Sequence, residues 1–188
     1  MTLDKAQHHF SDMLRELQKM KASPWPFMCA AAMLEYLAKM AIGNGRAAYI
    51  RFIRDFLRQE YRDFEFACGK KDLPEQMYHV LRCGLVHSFS LTPDKNQNKD
   101  GRCESIVLAH QGSHLDTFPS IGGHHLDAVW FVFGDFAEDI QRAIENVFAK
   151  AKSDSSLRSR IESQLARSPP VEELPLSLTA TASGSRHS

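Results

Sequence analysis

Residues 27–43 read "FMCAAAMLEYLAKMAIG". Wound as a helix, this stretch turns apolar side chains in nearly every direction, so no side of it suits water. Such a helix is stable only when neighbours cover it all round, and the fold has to be built about it. On one side, "SPWPF" at 23–27 interrupts whatever precedes, because two prolines cannot continue a helix interior. On the other, "GNG" at 43–45 supplies a stop and a turn.

The covering elements can be read outward from there. Residues 3–22 predict a first helix with Phe10, Met13, Leu14, Leu17 and Met20 on one face. Residues 46–64, "RAAYIRFIRDFLRQEYRDF", predict a third helix that buries Tyr49, Phe52, Ile53, Phe56 and Leu57. A loop at 67–72 precedes Pro74, which suits the first turn of a fourth helix running through "EQMYHVLRCGLVHSFSL". Beyond Pro93 the segment 94–101, "DKNQNKDG", is polar and turn-prone. "CESIVLAH" (103–110) and the stretch around "HLDTF" (114–118) then read as two strands of a hairpin. Residues 126–152 form a long fifth helix, although its start at Val129, Trp130, Phe131, Val132 and Phe133 also has the composition of a strand. The expected fold is mainly α: a bundle of four or five helices with a small β-hairpin inserted before the last long helix. Residues 1–152 make the helical domain and 153–167 a more polar helical extension. The segment 168–188 lacks apolar periodicity and is expected to be a disordered tail.

Composition narrows the function classes. The chain has 188 residues, 43% of them apolar, with 23 basic and 23 acidic side chains and a formal net charge of zero. That balance argues against a large sequence-independent nucleic-acid surface, which rests on excess Lys and Arg. Cys29, Cys68, Cys83 and Cys103 form no CxxC pair, and Cys29 and Cys83 lie in apolar helical stretches where cysteine acts as a small hydrophobe. No disulfide framework is expected. The first twenty residues lack the apolar run of a signal peptide, and no segment approaches ~20 apolar residues. A soluble, cytoplasmic protein with no membrane span is expected.

Within the fourth helix, Leu81, Leu85 and Phe89 repeat at i, i+4, i+8, while Arg82 and His87 stand off that stripe. On an ideal α-helix the two point about 140° apart and ~7.5 Å along the axis. Gly84 between them leaves a notch that Arg82's long stem can cross, at a cost of roughly 1 kcal/mol relative to Ala. Near a helix carboxyl end, partial negative charge favours imidazolium. A histidine beside a guanidinium is suited to phosphodiester cleavage: imidazole moves the proton of a ribose 2′-hydroxyl or leaving oxygen, and arginine meets the charge on the phosphoryl oxygens. This chemistry needs no metal or cofactor. The ordinary alternative is a salt bridge and a helix cap. Glu35, set in the most apolar helix, would be costly there unpaired. It either pairs with Arg82 and fixes its orientation or sits at a partly exposed rim.

The run Arg82-Cys83-Gly84-Leu85-Val86-His87 resembles the Arg-x4-6-His signature of the HEPN superfamily, as does its place on a late helix of a bundle. The resemblance in layout covers roughly residues 5–150. It implies a helical bundle, commonly dimeric, and in many members a metal-independent ribonuclease of a toxin, defence or RNA-processing system. The arginines and histidines of two protomers then meet across a two-fold axis. It assigns Arg82 the phosphate-stabilising role and His87 the acid–base role; Glu35, Cys83 and Gly84 are supporting candidates on this chain's own pattern. The family often has a polar residue where this chain has Cys83. The tyrosine-modified subset has tyrosine where this chain has Phe89.

Two other groupings stand out. Arg51, Arg54, Arg58 and Arg62 recur at i, i+3, i+7, i+11 and share one face of a continuous helix. They read as a track for an RNA backbone or, interleaved with Asp55, Glu60 and Asp63, as a solvated face. His110, His114, His124 and His125, with Asp116 and Cys103 nearby, raise a zinc reading. No HExxH or paired CxxC accompanies them, so a polar hairpin is expected there and no metal site. The functional expectation is a HEPN-like RNA-acting protein: a homodimeric endoribonuclease with RNA or nucleotide as ligand and a cognate regulatory protein as partner. The alternative is a non-catalytic HEPN-like interaction or nucleotide-binding domain.

Overall fold

The computed structural model describes residues 1–20, 23–66, 73–88, 104–118 and 127–170; the side chains of His87, Ser88, Glu104, Ser105, Phe118 and Asp127 are not among those described. Cys68, Phe89, Cys103, His124, His125, the loops expected at 67–72 and 94–101, and the tail beyond residue 170 lie outside the described residues.

Helix α2 (Trp25–Ala41) is the centre of the fold. It packs against α1 (Leu3–Gln18), α3 (Arg46–Phe56), α6 (Phe133–Ser153), α7 (Ser155–Arg167) and a π-helix at Met77–Ser88. Most of its apolar residues thus find partners, with one edge, at Trp25, Cys29 and Ala32, left exposed. Pro26 falls in its first turn, where a missing N–H costs nothing. At its other end Gly43 and Gly45 adopt φ of 142° and 90°, a region that strains any side chain, so the turn into α3 depends on both.

Each covering helix contributes a stripe at helical spacing. α1 buries Ala6, Phe10 and Leu14, with Thr2 Oγ1 accepting from the Lys5 amide at 3.3 Å as its cap. Met13 and Met20, expected on that face, are instead 36% and 44% exposed, because the stripe runs through Ala6 rather than through them. α6 buries Phe136, Ile140, Ala143, Ile144, Val147 and Phe148. α7 docks Leu157, Ile161 and Leu165 into the same core, capped by Asp154 Oδ1 accepting from the Leu157 amide at 3.0 Å.

The expected third helix is two. α3 stops at Phe56, Leu57 and Arg58 take extended backbone, and α4 (Gln59–Asp63) restarts beyond them. The break lets Leu57 enter the core and turns Arg58 inward, a tertiary gain that outweighs the helical propensity of the segment. Pro74 opens α5 (Leu73–Gln76), which runs directly into the π-helix.

A small sheet precedes the last long helix, as expected, but with different pairing. Strand β1 (Glu104–Ala109) and strand β2 (Thr117–Phe118) do not pair with each other; β3 (Asp127–Val132) lies between them. β3 is parallel to β1, with Ile106 opposite Val129, and antiparallel to β2, with Thr117 opposite Val129. The β-branched and aromatic run at the start of the expected fifth helix is therefore strand as far as Val132. Ala128, Val129, Phe131 and Val132 are all buried, as suits the central strand of a sheet. No helix among the described residues is long and apolar enough to cross a membrane.

Candidate functional site

The Arg82 segment is wound as a π-helix, in which hydrogen bonds run from i to i+5. Backbone position 87 therefore lies one ladder step from position 82, and the α-helical separation of about 140° does not apply. The side chain of His87 lies outside the described residues. Gly84 is buried between Cys83 and Leu85.

Arg82 is fixed from three directions. Its Nη2 donates to Glu35 Oε1 of α2 at 2.6 Å, the pairing that Glu35's place in an apolar helix suggested. Nη1 reaches the Sγ of Cys83 at 3.7 Å, and the guanidinium carbon sits 5.5 Å from the centre of the Tyr78 ring. The ring of Tyr78 meets that of Tyr49, on α3, edge to face at 5.6 Å. Arg82 is 25% exposed and Glu35 41%, so their ion pair borders solvent and contributes under ~1 kcal/mol to stability. The Glu35 hydrogen bond raises the already high pKa of Arg82, which stays cationic throughout. Burial raises the Tyr78 hydroxyl as well.

The arginine row does not form one cationic track. Arg51 pairs with Asp55 at 3.2 Å and Arg62 with Asp63 at 3.2 Å, while Arg54 is exposed. Arg58, past the end of α3, turns away from that face to Asp139, Nε to Oδ1 at 2.7 Å. Arg51 instead borders a cavity of about 260 Å³ with Phe56, Lys150 and Arg160.

The histidines that the structure describes serve the scaffold. His110 Nε2 accepts from the Ser23 amide at 3.0 Å, tying the end of β1 to the approach to α2. His114 is 3% exposed. Its Nδ1 accepts from the Val132 amide at 3.0 Å, so its proton is on Nε2, 2.7 Å from the Tyr61 hydroxyl oxygen. Tyr61 in turn donates to Asp139 Oδ2 at 2.9 Å. The result is a closed relay from imidazole to phenol to carboxylate, anchored by Arg58. Among the described residues no three His, Cys, Asp or Glu side chains converge as metal ligands. Cys29, expected to be a buried hydrophobe, is exposed, since the covering helices leave that edge of α2 open.

Asp139, Tyr61, Tyr49 and Tyr78 were not anticipated as site residues. A signal existed for Asp139: it lies three residues after Phe136 and four before Ala143, on the stripe that α6 buries. Tyr49 was legible only as a core marker.

Two fully buried phenols set the alkaline limit of the fold. Burial first, and then the charges of Glu35 at Tyr49 and Asp139 at Tyr61, raise both above the ordinary 10.0. Below pH 10 both states hold the proton and nothing is lost. Above it the unfolded chain ionises while the folded chain does not, so stability falls as pH rises, by roughly 1 kcal/mol per pH unit for each phenol. Urea unfolding between pH 9 and 11.5 should show this decline, and Tyr49→Phe should make it shallower. An identical slope in the variant would remove Tyr49 from the account.

Comparison of the chain with family models, with curated proteins and with solved structures gave no match.

Proposed function

We propose that the chain is a HEPN-like protein acting on RNA, a metal-independent endoribonuclease of a defence or toxin type, with Arg82 and His87 as its catalytic pair. One observation carries the reading. A guanidinium at the site of the Arg-x4-His motif is oriented by Glu35 at 2.6 Å yet keeps a partly exposed face. Its remaining N–H groups suit two oxygens of a phosphodiester. In the reaction, imidazole of His87 takes the proton of a ribose 2′-hydroxyl. O2′ then bonds to phosphorus, the P–O5′ bond breaks, and the departing O5′ takes the proton back from the imidazolium. Arg82 meets the charge on the non-bridging oxygens in between. A cytoplasmic homodimer that joins two such motifs, kept in check by a cognate regulatory protein, belongs to the same proposal.

The test is cleavage of mixed RNA in EDTA by the wild type and by His87→Ala of equal thermal stability. Cleavage confined to the wild type supports the reading; equal cleavage by both removes His87 from the chemistry. A second reading, a non-catalytic interaction or nucleotide-binding domain, draws on the same ion pair, because Glu35 already neutralises Arg82. It expects no cleavage and a monomer by light scattering.

A further inference from the structure

A cavity of about 260 Å³ lies where the carboxyl ends of α2, α3 and α6 meet the start of α7. Among the described residues that line it, α3 contributes Arg51, α6 Lys150 and α7 Arg160. Three helices thus bring cations to one small space, in a chain whose formal net charge is zero. The sequence pattern links Arg51 to Arg54, Arg58 and Arg62 along one helix. The fold links it instead to residues of α6 and α7.

The described wall also carries two carboxylates, and both are engaged. Asp55 Oδ2 accepts from Arg51 Nε at 3.2 Å, and Asp154 Oδ1 accepts from the Leu157 amide as the cap of α7. Lys150 and Arg160 hold neutral partners. The Nζ of Lys150 lies 5.5 Å from the centre of the Phe56 ring, and Arg160 Nη1 donates to the carbonyl of Ala41, the last residue of α2. Each contact has a local explanation, as an i, i+4 pair or as a cation at a helix carboxyl end. None of these explains why all three cations border the same cavity. Like charges gathered this way repel, and an anion between them relieves the repulsion.

We infer that this cavity is a binding site for a small phosphate-class anion, separate from the Arg82 pair. Its volume falls below the ~300–1,000 Å³ of sites for drug-sized ligands, which suits a phosphoryl group and not a whole nucleotide. Two guanidinium forks match the geometry of phosphate oxygens, and Lys150 supplies a point charge. Ser156, on the same wall, adds a neutral hydroxyl. All three cations are exposed, so an anion reaches them from solvent. Asp55 competes with it for Arg51 and thereby sets the affinity. A free phosphate ion and the terminal phosphate of an RNA share this chemistry, and neither depends on the nuclease reading.

Calorimetric titration of the full chain with inorganic phosphate, at constant ionic strength, tests the site. The wild type should show one saturable site. Lys150→Gln keeps most of the stem and loses only an exposed charge, so it should fold as wild type yet bind phosphate about tenfold more weakly, the loss expected for one charge-assisted hydrogen bond. Arg51→Gln should do the same, and Asp55→Asn, which removes the competing carboxylate, should tighten binding severalfold. A wild type without saturable binding, or equal affinity in Lys150→Gln and Arg51→Gln, overturns the inference. Binding lost in Arg82→Lys and unchanged in Lys150→Gln also overturns it, by placing the anion at the other site. Competition identifies the source. A 5′-phosphorylated oligoribonucleotide that displaces phosphate, where its 5′-hydroxyl counterpart does not, makes the ligand a terminal phosphate of RNA. Displacement by neither leaves the free ion. Displacement by both means that internal phosphates bind, and the argument from cavity size fails.

Discussion

Asp139→Ala is expected to unfold the protein roughly 10 °C earlier than wild type. The carboxylate is 2% exposed and has its charge balanced chiefly by Arg58. Its other oxygen accepts from Tyr61, which in turn receives the Nε2 proton of His114. Removing one member of a buried, charge-bearing network costs about 3–5 kcal/mol, because the partners are left desolvated and unpaired. For a chain of this length each kcal/mol moves Tm by about 2–4 °C. The loss reaches beyond the carboxylate. Arg58 stands at the break between α3 and α4, Tyr61 in α4, and His114 holds the Val132 amide at the end of β3. Hydrogen exchange at β3 and α4 should therefore accelerate more than at the α1–α6 contact. Asp139→Asn keeps an acceptor for Tyr61 but not the charge for Arg58, and should fall between. A Tm drop under about 3 °C for the alanine variant would mean that Arg58, 31% exposed, simply turns to solvent. The network would then be incidental.

That network also marks where reading the chain stops. Residues 27–43 specified the centre of the fold because burial on all sides is a property of one segment alone. The turn at Gly43 and Gly45, the first-turn prolines and the stripes of α6 and α7 are local in the same sense. Glu35 was legible for a related reason: a carboxylate among apolar neighbours requires a partner, and Arg82 was the cation with a reason to supply it. The break at Leu57 was not legible, since residues 46–64 keep helical periodicity throughout. Arg58, just past that break, has its partner in Asp139, about eighty positions further on. Strand order fails similarly, as the apolar runs identify strands but not which one lies in the middle. The π-winding of Met77–Ser88 leaves no mark in the pattern either, and it changes the relation of positions 82 and 87 from opposed to stacked along the ladder. Tyr49 was read by its ring and not by its hydroxyl.

At Arg82 the expected effect is on activity and not on stability. Arg82→Lys should reduce RNA cleavage in EDTA by at least about 100-fold, the range seen when one donor to a developing oxyanion is lost. Lysine keeps the charge, but as a point on a flexible stem. It lacks the planar fork that can hold Glu35 with one nitrogen and phosphoryl oxygens with the others. The same substitution should move Tm by no more than a few degrees, because the Glu35–Arg82 pair borders solvent and contributes under ~1 kcal/mol. The contrast with Asp139 is the point. A buried network should lose stability first, and a half-exposed functional pair should lose activity first. If Arg82→Lys cleaves as fast as wild type, charge alone suffices and the fork geometry is irrelevant. If it costs as much Tm as Asp139→Ala and the wild type does not cleave RNA, Arg82 holds the π-helix against α2, and the motif is structural.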